Sequence, residues 1–349
     1  MRIAQVAPLS ESVPPKLYGG TERVVSYLTE ELVRRGHDVT LFASGDSATT
    51  ARLRRMCEKA LRLDCRCHDP LPYAVLMLEK VLQEMDDFDL VHFHTDYLHF
   101  PCVRRHRTST LTTLHGRLDL PSLAAVYREF HDIPVVSISD AQRVPLPWLN
   151  WAKTVYHGLP RDLLRPAFQP GRYIAFLGRI CPEKRPDRAI DIARRFGMKL
   201  KIAAKVDAVD QDYFDERIRP MLNLPGVEFI GEINESEKND FLGDAYALLF
   251  PIDWPEPFGL AMIEAMACGT PVIAYRCGSV AEVVDDGLTG YVVETRRQAV
   301  EALRKVANLD RTVVRHLFEE RFSVERMVDD YLAIYDASVG EPARPVRVA

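Results

Sequence analysis

Short apolar, β-branched runs recur along the whole chain and alternate with stretches whose apolar positions repeat at helical spacing. Residues 3–7, 39–43, 90–94, 111–114, 135–138 and 154–156 have the length and composition of buried strands. Between the first two, Val24, Val25, Leu28, Leu32 and Val33 share one helical face, and Gly36 supplies the stop. A proline-punctuated stretch at 159–171 lacks periodicity and reads as a linker. The pattern then restarts, with strands expected at 174–177, 200–204, 227–230, 248–251, 272–275 and 291–293 and helices at 185–196 and 258–268. Alternating strands and helices build parallel sheets covered on both faces, so two doubly wound, Rossmann-like α/β domains are expected. Their expected extents are 1–165 and 166–323, with an amphipathic helix at about 324–340 packing back on the first domain. Ligands of such sheets bind beyond the carboxyl ends of the strands, which places a site where two domains face each other across a cleft.

Composition narrows the chemistry. The 349 residues are 47% hydrophobic and 27% charged, ordinary for a globular chain and unlike a disordered or coiled-coil one. A formal net charge of -5 argues against a dedicated nucleic-acid binder. The longest apolar run, near 245–252, is strand length, far short of the ~20 residues that cross a bilayer. Seven scattered cysteines and the absence of an apolar leader point to reduced thiols and a cytoplasmic location.

Three motifs fall where strands end. Tyr18-Gly19-Gly20-Thr21-Glu22-Arg23 precedes the first helix, where Gly19 and Gly20 let backbone N–H groups approach an anion. It is not the Gly-x-Gly-x-x-Gly dinucleotide fingerprint, which disfavours a nicotinamide dehydrogenase. The first strand of the second half runs into Gly178-Arg179-Ile180-Cys181-Pro182-Glu183-Lys184. A guanidinium and an ammonium at a helix start conflict with the helix dipole unless an anion joins them, and the pair suits a diphosphate. Glu256-Pro257-Phe258-Gly259-Leu260 leads into a helix that carries Glu264 and stops at Gly269. With Pro257 in the first turn, Gly259 and Leu260 offer N–H groups at the helix mouth. Helical rise then separates the Cα atoms of Glu256 and Glu264 by ~10 to 12 Å. That spacing is too wide for a glycosidase pair and suits two hydroxylated parts of a long ligand.

Glu256 and Glu264, with seven residues between them and followed by Ala-Cys-Gly-Thr-Pro-Val-Ile-Ala, resemble the Glu-x7-Glu signature of family 4 glycosyltransferases. Leu-Gly-Arg-Ile-Cys-Pro-Glu-Lys, Gly-Gly-Thr-Glu-Arg-Val-Val, Arg-Gly-His-Asp-Val-Thr-Leu and Asp-Gly-Leu-Thr-Gly-Tyr-Val-Val are similar to that family's other landmarks, in its order. The resemblance implies a GT-B fold and transfer of a hexose from a nucleoside diphosphate sugar, with retention, without a metal or other cofactor. It implies that Arg179 and Lys184 hold the diphosphate and Glu264 the ribose. Glu256 and the backbone of Phe258, Gly259 and Leu260 would hold the donor sugar and phosphates. Gly19 and Gly20 would approach from the first domain, and His115 would lie near the donor sugar. Two positions depart from the family pattern: Ala203-Ala204-Lys205-Val206-Asp207 replaces a Gly-x-Gly continuation, which brings Lys205 toward the phosphates or base, and His157-Gly158 replaces Asn-Gly.

Other features are read as structural. Asp87-Phe88-Asp89 and Asp210-Gln211-Asp212 match an Asp-x-Asp metal motif but sit as caps and turns. Cys65, Cys67 and His68 have poor zinc spacing, and His92, His94 and His99 read as cleft or core histidines. Segment 51–68 carries Arg52, Arg54, Arg55, Lys59, Arg62 and Arg66 against Glu58 and Asp64, and is expected to be a solvated helix or mobile loop. Its alternative use is to grip an anionic acceptor or, peripherally, a membrane surface. The acceptor, whether glycan, lipid or small molecule, is left open. The rival functions are a GT-B nucleotide-sugar epimerase, which would convert donor without acceptor, and a non-catalytic two-lobed sugar-binding protein.

Overall fold

The computed structural model describes residues 1–340, which divide into two compact units. Unit 1 is Met1–Gly158 together with the helix Val324–Gly340; unit 2 is Leu159–Ser323. The segment read as a linker therefore opens unit 2, and its first residue Leu159 bridges to Ser323 at that unit's far end.

Unit 1 is a seven-stranded parallel sheet with strands β1 (Arg2–Val6), β2 (Asp38–Ser44), β3 (Arg52–Cys57), β4 (Leu90–Phe93), β5 (Ser109–Thr113), β6 (Val135–Ser137) and β7 (Trp151–Thr154) in the order β3-β2-β1-β4-β5-β6-β7. Unit 2 is six-stranded, with β8 (Tyr173–Arg179), β9 (Leu200–Lys205), β10 (Val227–Gly231), β11 (Ala245–Phe250), β12 (Val272–Tyr275) and β13 (Gly290–Val293) in the order β10-β9-β8-β11-β12-β13. Both are doubly wound. The strand order reverses between β1 and β4 in one unit and between β8 and β11 in the other, the switch points where such sheets take ligands.

The apolar runs are buried as their composition requires: Ile3, Ala4 and Val6 of β1 and Ile174 and Ala175 of β8 have no exposed surface. The strand absent from the expectation is β3, Arg-Leu-Arg-Arg-Met-Cys. It lies at a sheet edge with its arginines outward, so it shows no apolar run; charged edges also resist pairing with another sheet. The basic segment is thus an edge strand plus a short turn of helix, Leu61–Leu63, in place of the solvated helix or mobile loop expected. The last helix is held to unit 1 by Arg326, which donates to the carbonyls of Tyr156 (2.6 Å) and His157 (3.1 Å), and by Lys153 on Asp330 at 2.5 Å. No helix among the described residues is long and apolar enough to cross a membrane.

Candidate active site

At the switch point of unit 2 the strand ends carry charge. Arg179 closes β8 beside Lys205, the last residue of β9, in direct register. The Arg179 guanidinium lies 3.5 Å from Asp207, 3.8 Å from Asp210 and 3.9 Å from Glu183, and the Lys205 ammonium lies 2.6 Å from Asp207. Burial pushes the Asp207 carboxyl up, but Lys205 and Arg179 outweigh it and hold the group below the usual carboxylate range. Burial raises Asp210, helped by its neighbours Asp207 and Glu183 and opposed by Arg179. Asp210 was expected to be only a cap; its place beside Arg179 comes from the short helix Gln211–Tyr213 that it precedes. The sequence signal available was its proximity to the departing strand β9.

The loop after β8 carries the second cation, and the loop after β11 carries its partner. Lys184 is ion-paired with Glu256, which also accepts from the Trp254 indole at 3.0 Å. The ammonium stands 5.4 Å and 5.2 Å from the ring centroids of Phe250 and Trp254, so aromatic faces reinforce the site. Asp253 in the same loop is gripped by Arg185 at 2.6 Å and Arg188 at 3.2 Å. Gly278 holds the loop from beneath: at φ 56, a Cβ there would fall 2.3 Å from the Glu256 carbonyl oxygen. Sequence reasoning singled out none of these three supports.

The helix bearing Glu264 begins at Leu260, two residues later than expected, because Gly259 at φ 85 is left-handed and cannot extend the helix backwards. Pro257 and Glu256 precede it in the loop, so the 10 to 12 Å estimate from helical rise does not apply. The first turn still leaves N–H groups without intrahelical partners at Leu260. Phe258 is buried against Phe322, and its carbonyl accepts from the Ser279 hydroxyl at 2.8 Å, so its side chain is packing. Glu264 is buried and pairs with the buried Lys238 at 2.5 Å, a partner 26 residues away that the sequence did not disclose.

In unit 1, Gly19 caps the helix Gly20–Arg34, and a Cβ on it would meet Pro15 at 2.7 Å. The helix mouth already holds carboxylates of the chain: Glu11, paired with Arg62, and Glu22, whose pKa is raised by burial although backbone N–H groups oppose this. His115 follows β5. Its Nε2 meets His94 Nδ1 at 2.8 Å, its ring stacks on His157 at 5.3 Å, and burial pushes it down to about 3. Of the six cations of the basic segment, five have a carboxylate within 4.0 Å: Arg52 with Asp38, Arg54 with Glu84, Lys59 with Asp64, Arg62 with Glu11, and Arg66 with Glu58 and Asp64. Intramolecular pairing absorbs much of the charge that an anionic surface would need.

Two family models match in tandem: "Glycosyltransferase Family 4" over residues 18–167 and "Glycosyl transferases group 1" over residues 165–316. The chain is 27% identical to the N-acetyl-alpha-D-glucosaminyl L-malate synthase of Bacillus anthracis, across 91% of this chain and 93% of that protein. Among solved structures it resembles a glycosyltransferase involved in avilamycin A biosynthesis, with TM-score 0.75, 24% identity, and coverage of 97% of this chain and 98% of that one. It also resembles Anabaena HepE, solved in complex with UDP, with TM-score 0.76, 17% identity, and coverage of 97% and 100%. These likenesses and the two parallel sheets show the GT-B fold.

Proposed function

The chain belongs to the group 1, family 4 glycosyltransferases and is a glycosyltransferase, and from that premise we propose a retaining, metal-independent transfer of a hexose from a nucleoside diphosphate sugar to an acceptor. The observation that carries the reading is the set of cations gathered at the switch point of unit 2, each held by carboxylates. Arg179 and Lys205 face Asp207, Asp210 and Glu183, two cations against three acids, a local sum of 2 − 3 = -1. A diphosphate takes these cations by offering more charge in a better geometry, since guanidinium–phosphate contacts are bidentate. The nucleotide complex of HepE is consistent with the assignment.

In this reading Arg179 and Lys184 stabilise charge that develops on the departing diphosphate, aided by N–H groups of Gly259 and Leu260 at the helix mouth. Fixed cations then do what a divalent metal does in other enzymes. Glu256 orients the donor sugar, and Glu264, paired with Lys238, accepts from the ribose hydroxyls. Lys205 adds to the phosphate contacts. Gly19, Gly20 and His115 of unit 1 keep the donor-side roles that the resemblance gives them. The acceptor attacks from the face that the diphosphate leaves, and the departing phosphate takes its proton.

A thermal-shift screen with UDP-, GDP-, ADP- and dTDP-sugars tests the donor class. A bound donor at 100 times its Kd stabilises the native state by about 2.7 kcal/mol. No shift with any nucleotide sugar would refute the reading.

A further inference from the structure

We propose that Gln5 and His94 are positioning residues that set which nitrogen of His115 carries its proton, so that His115 meets a sugar hydroxyl as a hydrogen-bond acceptor through Nδ1. The inference rests on the donor-side reading of His115. Its basis is a buried chain of polar groups at the switch point of unit 1. Gln5 lies in β1 and is fully buried; His92 stands beside it in β4, and His94 follows directly. The Gln5 carbonyl oxygen is 2.8 Å from His94 Nε2, and His94 Nδ1 is 2.8 Å from His115 Nε2. On the other side the Gln5 amide nitrogen donates to the Tyr335 hydroxyl at 3.2 Å, and that hydroxyl lies 2.7 Å from His92 Nδ1. His92 Nε2 meets the Thr113 hydroxyl at 2.8 Å, which meets the Tyr331 hydroxyl at 2.9 Å.

The direction of each bond follows from one group. A carbonyl oxygen only accepts, so His94 Nε2 carries a hydrogen. A neutral imidazole has one donor and one acceptor nitrogen, which leaves His94 Nδ1 to accept from His115 Nε2–H. His115 Nδ1 is then a bare lone pair. The other branch agrees: the Gln5 amide spends its N–H on the Tyr335 oxygen, Tyr335 donates to His92 Nδ1, and His92 Nε2–H donates to Thr113. Burial keeps the imidazoles neutral, holding His92 and His94 well below the usual histidine range, so no ring donates from both nitrogens.

The chain ends on an open question. His115 Nδ1 is shielded and has no hydrogen-bond partner among the described residues. Reversing every proton would leave a shielded N–H there, which folded proteins rarely tolerate. A bare acceptor instead calls for an O–H from the ligand, and a sugar hydroxyl is the donor that the proposed substrate brings. The long separation explains why the arrangement is hidden in the sequence: Tyr335 reaches Gln5 from 330 residues away.

The test uses the full chain with nitrogen-15-labelled histidine and long-range proton–nitrogen correlation, which distinguishes the two ring nitrogens without any ligand. The wild type is expected to show His115 protonated at Nε2 only, and Gln5→Leu to show a mixture of tautomers. Protonation of His115 at Nδ1 in the wild type, or an unchanged tautomer in a folded Gln5→Leu, overturns the proposal. The second readout takes whichever of UDP-glucose, GDP-mannose, ADP-glucose and dTDP-glucose stabilises the protein most. Gln5→Leu should weaken that sugar nucleotide about tenfold, the effect of one hydrogen bond of ~1.4 kcal/mol, and leave the matching free nucleotide unchanged. In a His115→Ala background the same substitution should add nothing. If His115→Ala itself binds the sugar nucleotide as the wild type does, the donor-side reading of His115 fails whatever the tautomer. A wrong tautomer with a weakened His115→Ala removes only the role of Gln5 and His94.

Discussion

The two units share a winding and differ in how they treat polar groups at the point where the winding reverses. Unit 1 fills its switch point with an uncharged network of Gln5, His92, His94, Thr113, Tyr331 and Tyr335. Unit 2 puts Arg179, Lys184 and Lys205 there, with Asp207, Asp210, Glu183 and Glu256 as counter-charges. A neutral network sets direction, because each hydrogen bond fixes the next. An ionic cluster stores charge, because its members can exchange partners with an incoming anion. The same fold thus supplies a pre-aimed surface in one unit and a charge-exchanging one in the other.

The sharpest way to break the ionic side is to orphan a buried charge. Lys238→Met leaves Glu264 buried without its partner, and a cost of ~3–5 kcal/mol in the stability of unit 2 is expected, measured by urea unfolding. Nucleotide affinity should fall with it. Arg179→Ala removes one stabiliser of the leaving group, and kcat/KM should drop about 10²- to 10³-fold, equivalent to ~3–4 kcal/mol, with little loss of fold. Unaltered kinetics in both Arg179→Ala and Lys184→Ala would withdraw the diphosphate assignment.

Acid should break the neutral side first. Burial depresses His99 to about 3, from an ordinary value of 6.5. A depressed histidine stabilises the fold above its unfolded pKa, and that stability is lost as pH falls from about 6.5 toward 3. At pH 5 one such histidine costs about 2 kcal/mol relative to pH 7. Nine of the ten histidines lie in unit 1 and only His316 in unit 2. Calorimetry at pH 5 should therefore show the unit 1 transition moving down in temperature ahead of unit 2; equal shifts would blur the contrast. The smallest effect belongs to the exposed rim: Arg54→Ala breaks an exposed pair with Glu84 and should change stability by less than ~1 kcal/mol.

Most of the architecture was legible in the chain. Apolar runs of strand length announced the strands except two: β3, whose arginines face outward at an edge and leave no apolar signature, and β7 (Trp151–Thr154), which the run expected at 154–156 meets only at Thr154. The motif residues also stood out: Arg179, Lys184, Glu256, Gly259 and Glu264 are each marked by their neighbours. What surrounds them was not. Asp210 reads as a cap and is an ion partner; Phe258 reads as part of a binding loop and its side chain is core. The start of the Glu264 helix moved because a left-handed Gly259 interrupts what looked like a continuous turn.

By itself the amino-acid order determined the alternation of strand and helix, hence two doubly wound sheets, and the positions of the charged and glycine-rich turns at their ends. Those are local properties: burial periodicity, backbone preference and turn chemistry act over a few residues. Only the tertiary structure decided that Lys238 meets Glu264, that Asp210 meets Arg179, and that Gln5 touches both His94 and Tyr335. A polar side chain buried in a core takes whatever partner the fold delivers to it, and that partner is chosen by chain closure over tens to hundreds of residues, beyond the reach of any local pattern.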